Sequence, residues 1–451
     1  MAIEKVVVAT PWEHVDQRSF PLFERHFARG KTDSIETWNT ARLGAYHDDA
    51  LRELLLYSVE RSPFYRARLS ATPGILTASS VSAELEDLPC TTREQLTADP
   101  WAFVTQPMSA IAEIFVSSGT SGAPSIFVAH SYDDAFINDL APDMPHLIPL
   151  QRDDLVINAL PYEMSSAGLS FHRVFVHGIG AAVLAAGKDG CYGDPASCRR
   201  LIDAFGASAL ITSPSYAIRM IEGQPQPADA PPGGLTHMWL TGEACSDSLR
   251  RRIERLWGCR ANLFYGSLEC GVIGIECDIQ DGYHVAAGHV YVEILDDAGG
   301  ACAPGEVGEI VVTVLLRRAM PLLRYRTGDL GYLDDIPCPC GTVLPRLYLR
   351  GRRGDQLRLS TGDVSPVFVE EMLMREADVG LWYRLHDDGP ELFIEIVTAT
   401  DVVASDMDIA DRVATRLEYA IGTPVRVAVV DRILHGPGKV KRVVRAERTP
   451  E

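Results

Sequence analysis

At 451 residues the chain exceeds the length at which one hydrophobic core usually keeps growing, so two or more domains are expected. An apolar share of 46% and a charged share of 23% are those of an ordinary globular protein, and no run approaches the roughly 18 apolar residues of a membrane helix. The net charge of -19 argues against a nucleic-acid surface, which needs a basic face, and the one basic run, KVKRVVRAER from Lys439, is too short to reverse it. The first residues, MAIEKVVVATPWEH, show no basic start leading into an apolar core, so the expected compartment is the cytoplasm. The 10 cysteines are then expected to be reduced thiols or metal ligands, with Cys90, Cys191, Cys198, Cys245 and Cys259 reading as small buried hydrophobes.

Residues 1 to about 110 read as mostly helical, and LRELLLYSVERS places Leu51, Leu54, Leu55 and Val59 on one helical face. Beyond them short β-rich runs, IFVSS, DLVINALPY, AAVLAAG, ALITSPS, HMWLTGE and NLFYG, alternate with helical segments such as SCRRLIDAFG and SDSLRRRIERLWG. That alternation predicts an α/β layer with a largely parallel sheet, whose ligand sites lie beyond the carboxyl ends of strands. After about residue 285 the pattern turns to paired strands, HVYVEILDD and GEIVVTVLL, as in a β-hairpin or small barrel. The tail holds a helix after Pro366, two strands, a helix carrying Ile409, Val413 and Leu417, and the strand PVRVAVV. It is large enough to be a small domain of its own, with the boundary at RGRRGDQ near Arg350.

FVSSGTSGAPSIFVAH, from residue 115, joins two β-favouring flanks through glycines and hydroxyls. Such a loop can wrap phosphate oxygens with backbone N–H groups and hydroxyls, or it is simply a polar turn between strands. It is not a P-loop of the G-x-x-x-x-G-K-[ST] kind, since both spacing and lysine are missing. Further polar clusters end apolar runs at TGEA (241–244), FYGSLE (264–269), RYRTGDL (324–330), RGRRGD (350–355) and GPGKVKR (436–442).

In this order the motifs resemble those of the adenylate-forming superfamily. YSVERSPFYRARL, DLPCTTREQL, PYEMSSAGLSFH, ITSPSY and RYRTGDL are similar to its phenylacetate-CoA ligase branch, over nearly the whole chain. The resemblance implies an α/β fold with a large N-terminal domain of mixed sheets and helices (1–350) and a small mobile α+β C-terminal domain (351–451). It implies ATP-dependent activation of a carboxylic acid to an acyl-adenylate, pyrophosphate release, and transfer to a thiol.

Position by position, the resemblance puts Ser117, Ser118, Gly119, Thr120, Ser121 and Gly122 on the phosphate loop. Gly242, Glu243 and Ala244 line the adenine pocket, and Phe264, Tyr265 and Gly266 follow, with an aromatic ring to stack on the base. Glu269 falls on the Mg²⁺-binding acid, Asp329 on the carboxylate for the ribose hydroxyls, Arg352 on the arginine beside ribose and phosphate, and Lys439 on the C-terminal catalytic lysine. Gly354 stands at the hinge acid, followed by Asp355. For the acid substrate the resemblance gives Tyr162, Ser166, Ala167, Gly168, Ser213, Pro214 and Tyr216, with His172 either bonding a polar ring substituent or serving as a buried structural histidine. An aromatic or heteroaromatic acid is expected. Cys277, His284, Cys338 and Cys340 offer a structural Zn²⁺ set, although Cys-x-Cys is tighter than the usual spacing and the alternative is a Pro- and Cys-rich turn.

Coenzyme A is the expected acceptor. The pantetheine thiol of an acyl carrier protein is the nearest alternative, and a non-catalytic adenylate-binding homologue is a third. A homodimer stays open. Two departures bear on activity: Ala123 replaces the loop's usual lysine, and Leu268 stands where the branch has Thr or Ser. An Ala123→Lys variant is therefore expected to hold the β- and γ-phosphates better. The Michaelis constant for ATP should fall, and an unchanged value refutes this view of the loop.

Overall fold

A computed structural model describes residues 26, 34–70, 74–75, 80–117, 125–139, 147–190, 193–222, 234–387, 389, 391–400, 402–435 and 440–445. The chain forms two compact units, one of Met1–Ala185, Asn262–Thr327 and Tyr332–Tyr348, the other of Ala186–Ala261, Gly328–Gly331 and Leu349–Glu451. The architecture is the mixed α/β fold that the resemblance implies; of the runs read as a largely parallel sheet, IFVSS and NLFYG instead pair antiparallel with the strands that follow them. Among the described residues no helix is long and apolar enough to cross a membrane.

In the first unit the helix Thr40–Arg61 starts at Asn39, whose side chain accepts from Arg42 N. It buries Leu51, Leu54 and Leu55, while Ser58 rather than Val59 completes the buried stripe. Ser62 ends this helix and caps the next, Pro63–Leu69, its Oγ accepting from Tyr65 N while Pro63 spends no donor in the first turn. The strands Ile111–Val116 and Phe127–Ser131 pair antiparallel and flank the glycine- and serine-rich loop. Leu155–Asn158 and Ala182–Ala185 run parallel. Between those two, the helix Ser166–Arg173 passes directly into a π-helix, Val174–Ile179.

A mixed sheet continues the unit in the order Val290–Leu295, Gly308–Val314, Leu322–Asp334, Arg346–Arg352, Tyr283–Val285, Gly271–Ile275 and Arg260–Ser267. Its first two strands form the antiparallel pair expected of HVYVEILDD and GEIVVTVLL. Gly308–Val314 is buried along its whole length, Glu309 and Thr313 included.

The second unit carries the parallel pair Ala209–Thr212 and His237–Leu240 with the helices Pro195–Phe205, Pro214–Ile221 and Asp247–Trp257. Its C-terminal part is a four-stranded sheet in the order Val425–Val429, Leu392–Thr398, Val379–His386 and Val443–Val444, with helices Pro366–Arg375 and Asp406–Ile421. Ile409, Val413 and Leu417 form the buried stripe of the latter helix, as its spacing predicts.

Helix Asp247–Trp257 and helix Pro366–Arg375 are joined by carboxylates at a helix N-terminus, where unpaired N–H groups favour negative charge. Glu370 Oε1 accepts from Ser246 N at 2.6 Å, and Glu371 accepts from Ser248 N at 2.7 Å and Ser248 Oγ at 2.8 Å. The other Glu370 oxygen accepts from Tyr383 OH at 2.6 Å and lies 3.6 Å from Arg442 Nε. Glu370 is 2% exposed, so truncating it strands a buried guanidinium, an N–H and a phenol together. Glu370→Ala should cost about 3 kcal/mol in urea denaturation, against less than half that for Glu370→Gln. Equal losses for the two would show that the charge opposite Arg442, and not the hydrogen-bonding shape of the side chain, carries the whole contribution.

Candidate active site

In the first unit, Ser117 closes the base of the glycine- and serine-rich loop. Its N donates to Ile126 O and its Oγ accepts from Ile126 N, both at 2.8 Å. Ser118, Gly119, Thr120, Ser121, Gly122 and Ala123 lie outside the described residues.

Phe264 is buried and meets the Phe171 ring edge-on at 4.9 Å, so it backs the helix Ser166–Arg173. Tyr265, the next residue on the strand, points the other way and is half-buried, its ring 6.0 Å from Tyr283. Gly266 is required by packing, because a Cβ there would lie 2.3 Å from Gly271 O.

Glu269 is 7% exposed and held from three sides. Its Oε1 accepts from Arg93 Nη1 at 3.0 Å and from Tyr325 OH at 3.2 Å, and its backbone carbonyl accepts from Arg317 Nη1 at 2.5 Å. Burial, and then the charge of Glu269, push the Tyr325 phenol far up, which keeps it a donor. Among the described residues Oε2 of Glu269 accepts no hydrogen bond.

The segment PYEMSSAGLSFH folds as a turn and a helix capped by Ser165, with Ser166 and Ala167 half-buried in the first turn. Gly168 contributes backbone rather than a surface: its N donates to Pro161 O at 2.9 Å, its O accepts from Asn158 Nδ2 at 2.8 Å, and a Cβ would sit 2.4 Å from Pro161 O. The Tyr162 hydroxyl lies 3.1 Å from His172 Nδ1. Burial pushes the Tyr162 phenol up to about 12, and burial together with the charges of His177 and Arg173 lowers His172, so the pair is a neutral phenol with a neutral imidazole.

Four metal-binding side chains converge in the same unit. The ligand atoms of Cys277, His284, Cys338 and Cys340 all lie within 4.8 Å of one another. Cys277 Sγ is 3.8 Å from Cys338 Sγ, and Cys340 Sγ is 3.4 Å from His284 Nε2. The first separation is too long for a disulfide. It equals the edge of a tetrahedron with Zn–S bonds of about 2.3 Å, roughly 3.8 Å. His284 Nδ1 sits 3.3 Å from Leu344 O, an acceptor that fixes the proton there and leaves the Nε2 lone pair toward the thiols. The donor set fits zinc.

In the second unit, Gly242 has φ +82, which favours glycine, and it turns the chain so that Glu243 points inward while Ala244 is exposed. Glu243 accepts from Lys188 Nζ at 3.1 Å, from Ser215 Oγ at 2.8 Å and from Ser215 N at 3.1 Å. Burial pushes its carboxyl up, but Lys188 and Ser215 outweigh burial and leave it below the usual carboxylate value. Ser213 Oγ accepts from Lys188 Nζ at 2.7 Å, and Pro214 begins the helix. Tyr216 is fully buried with its hydroxyl donated to Gly193 O, so it offers packing and no free polar group. Asp329 Oδ1 accepts from Arg352 Nε at 2.9 Å, with Asp329 largely buried and Arg352 half-exposed. Gly354 and Asp355 lie in a 3-10 turn, Arg353–Asp355, where nothing stands within 4 Å of a Gly354 Cβ. Lys439 lies outside the described residues.

Sequence reading missed Arg93 and Lys188. Arg93 sits in DLPCTTREQL and Lys188 in the turn GKDG, and neither segment carries a local signal that its cation meets a particular carboxylate 176 or 55 residues away.

Comparison with known proteins fits this geometry. The AMP-binding enzyme family matches residues 59–314. A phenylacetate-coenzyme A ligase of Escherichia coli is 27% identical over 431 residues, covering 92% of this chain and 97% of its own. One of Thermus thermophilus is 26% identical over 436 residues, covering 90% and 96%. A crystal structure of 2-hydroxyisobutyryl-CoA ligase with 2-HIB-AMP, in the postadenylation state, superposes with a TM-score of 0.83 at 21% identity, covering 94% of each chain. The chain therefore belongs to the AMP-binding enzyme family, in the phenylacetate-CoA ligase branch of the adenylate-forming superfamily, and so among the AMP-forming acid–CoA ligases.

Proposed function

We propose that the protein activates an aromatic carboxylic acid with ATP to an acyl-adenylate and passes the acyl group to coenzyme A. The observation that carries this is the fixed Glu269, with one oxygen clamped by Arg93 and Tyr325 and the other left over, beside relatives that are phenylacetate-CoA ligases along almost their whole length. The acid pocket we assign to Tyr162, Ser166, Ala167 and His172, whose neutral phenol–imidazole pair suits a flat ring with a hydrogen-bonding substituent.

The chemistry joins two anions. The acid's carboxylate attacks the α-phosphorus, forming a C–O–P bond as the bond to pyrophosphate breaks, and charge grows on the transferring oxygens. Lys439 offsets that charge, Arg352 and Asp329 hold the ribose side, and the loop from Ser117 to Gly122 takes the departing phosphates. Magnesium, which Glu269 would hold through its free oxygen, supplies Lewis-acid neutralisation when bound. For thioester formation the tail from residue 351 moves about Gly354 and Asp355 to admit the thiol. We assign zinc to Cys277, His284, Cys338 and Cys340 as a structural ion, remote in kind from the reaction, since four protein ligands leave no open position.

A pyrophosphate-release screen over substituted benzoic, phenylacetic and heteroaromatic acids tests the reading, and silence across the panel overturns it. With the best acid, Lys439→Ala should lose about 10²- to 10³-fold in pyrophosphate exchange with an unchanged melting temperature, and normal exchange removes Lys439 from the site. Freshly purified protein should hold about one zinc per chain by elemental analysis, and Cys338→Ser should lower both the zinc content and the melting temperature. A metal-free wild type with full stability discards the zinc site.

A further inference from the structure

Lys188 is a buried cation, its side chain 4% exposed, that the reaction as described does not use. It follows the strand Ala182–Ala185 in the turn GKDG and joins two segments that are distant in sequence. One N–H reaches Ser213 Oγ at 2.7 Å, at the start of the helix Pro214–Ile221, and another reaches Glu243 Oε1 at 3.1 Å, in TGEA. Ser215 closes the set from the same helix start, donating to both Glu243 oxygens at 2.8 and 3.1 Å. The turn carrying Lys188 is itself braced. Asp189 adopts φ +57, a left-handed conformation costly for a residue with a Cβ, and Arg219 of the same helix holds its carboxylate at 2.7 Å. A lysine is tolerated in so dry a place only when paired. Here that pairing fixes the direction in which TGEA leaves its strand.

We propose that Lys188 is a positioning residue for nucleotide binding, holding Glu243 against the Ser213–Ser215 turn so that the backbone of TGEA meets the adenine in one geometry. The proposal rests on the reading of TGEA as adenine-lining. Cancelling the charge of Glu243 also removes an anion that would oppose the phosphates of ATP.

The test compares wild type, Lys188→Met, Lys188→Arg and the double variant Lys188→Met/Glu243→Gln by calorimetric titration with AMP, steady-state kinetics and thermal melting. Lys188→Met should raise the AMP Kd and the ATP KM about tenfold, with kcat within about threefold and the coenzyme A KM unmoved. Lys188→Arg should recover most of the affinity, because its fork also reaches two acceptors. The double variant leaves no stranded charge, so it should melt near wild type while keeping the weak AMP binding. Wild-type AMP affinity in either Lys188→Met or the double variant overturns the proposal and leaves the ligase reading intact. A wild type that binds no AMP overturns both.

Discussion

Glu269 is where the first unit's chemistry and its architecture meet. A carboxyl group that is 7% exposed must be compensated, and Arg93 and Tyr325 do so from segments 176 and 56 residues away. Because both address the same oxygen, the carboxylate cannot swing without losing both donors. Arg317 grips the carbonyl of the same residue, so main chain and side chain are fixed together. The turn that Glu269 occupies joins the strands Arg260–Ser267 and Gly271–Ile275, and Gly266 lets them approach until no Cβ would fit. The placement of Tyr265 and Phe264 on opposite faces follows from the pleat of the first of these strands.

The second unit solves a similar problem differently. Glu243 and Lys188 form a neutral pair sealed by two serines, and Glu370 joins a helix N-terminus, a phenol and Arg442. In each case a carboxylate gathers donors from segments far apart in sequence. Such sets contribute little net stability compared with an apolar core, yet each permits only one arrangement of its partners.

What could be read from the sequence was whatever repeats locally. The stripes of Leu51, Leu54 and Leu55 and of Ile409, Val413 and Leu417 follow a helical period, and each was legible because burial recurs every three or four residues. The strand positions were legible for a similar reason, and Cys277, His284, Cys338 and Cys340 were recognisable as a candidate metal set by chemical type, although only the structure supplies their separations. The partners of Arg93 and Lys188 leave no periodic trace, since an ion pair needs only one residue from each segment. Gly168 looked like a small pocket-lining residue, and its real constraint, the approach to Pro161 O, depends on a fold around it. The π-helix had no visible signature at all.

That π-helix, Val174–Ile179, continues the helix that begins at Ser166. A π-turn carries one more residue than the α-turn it replaces within the same full rotation, so removing a single residue there would restore regular winding with the two ends still facing the same way. The helix start is pinned by Gly168, Asn158 and Pro161, so the widened winding is confined to the far end, where Phe175 is buried and His177 is exposed. The extra residue is thus absorbed between 174 and 179, so the α-helical turns that carry Ser166 to His172 keep their winding and their pairing with Tyr162.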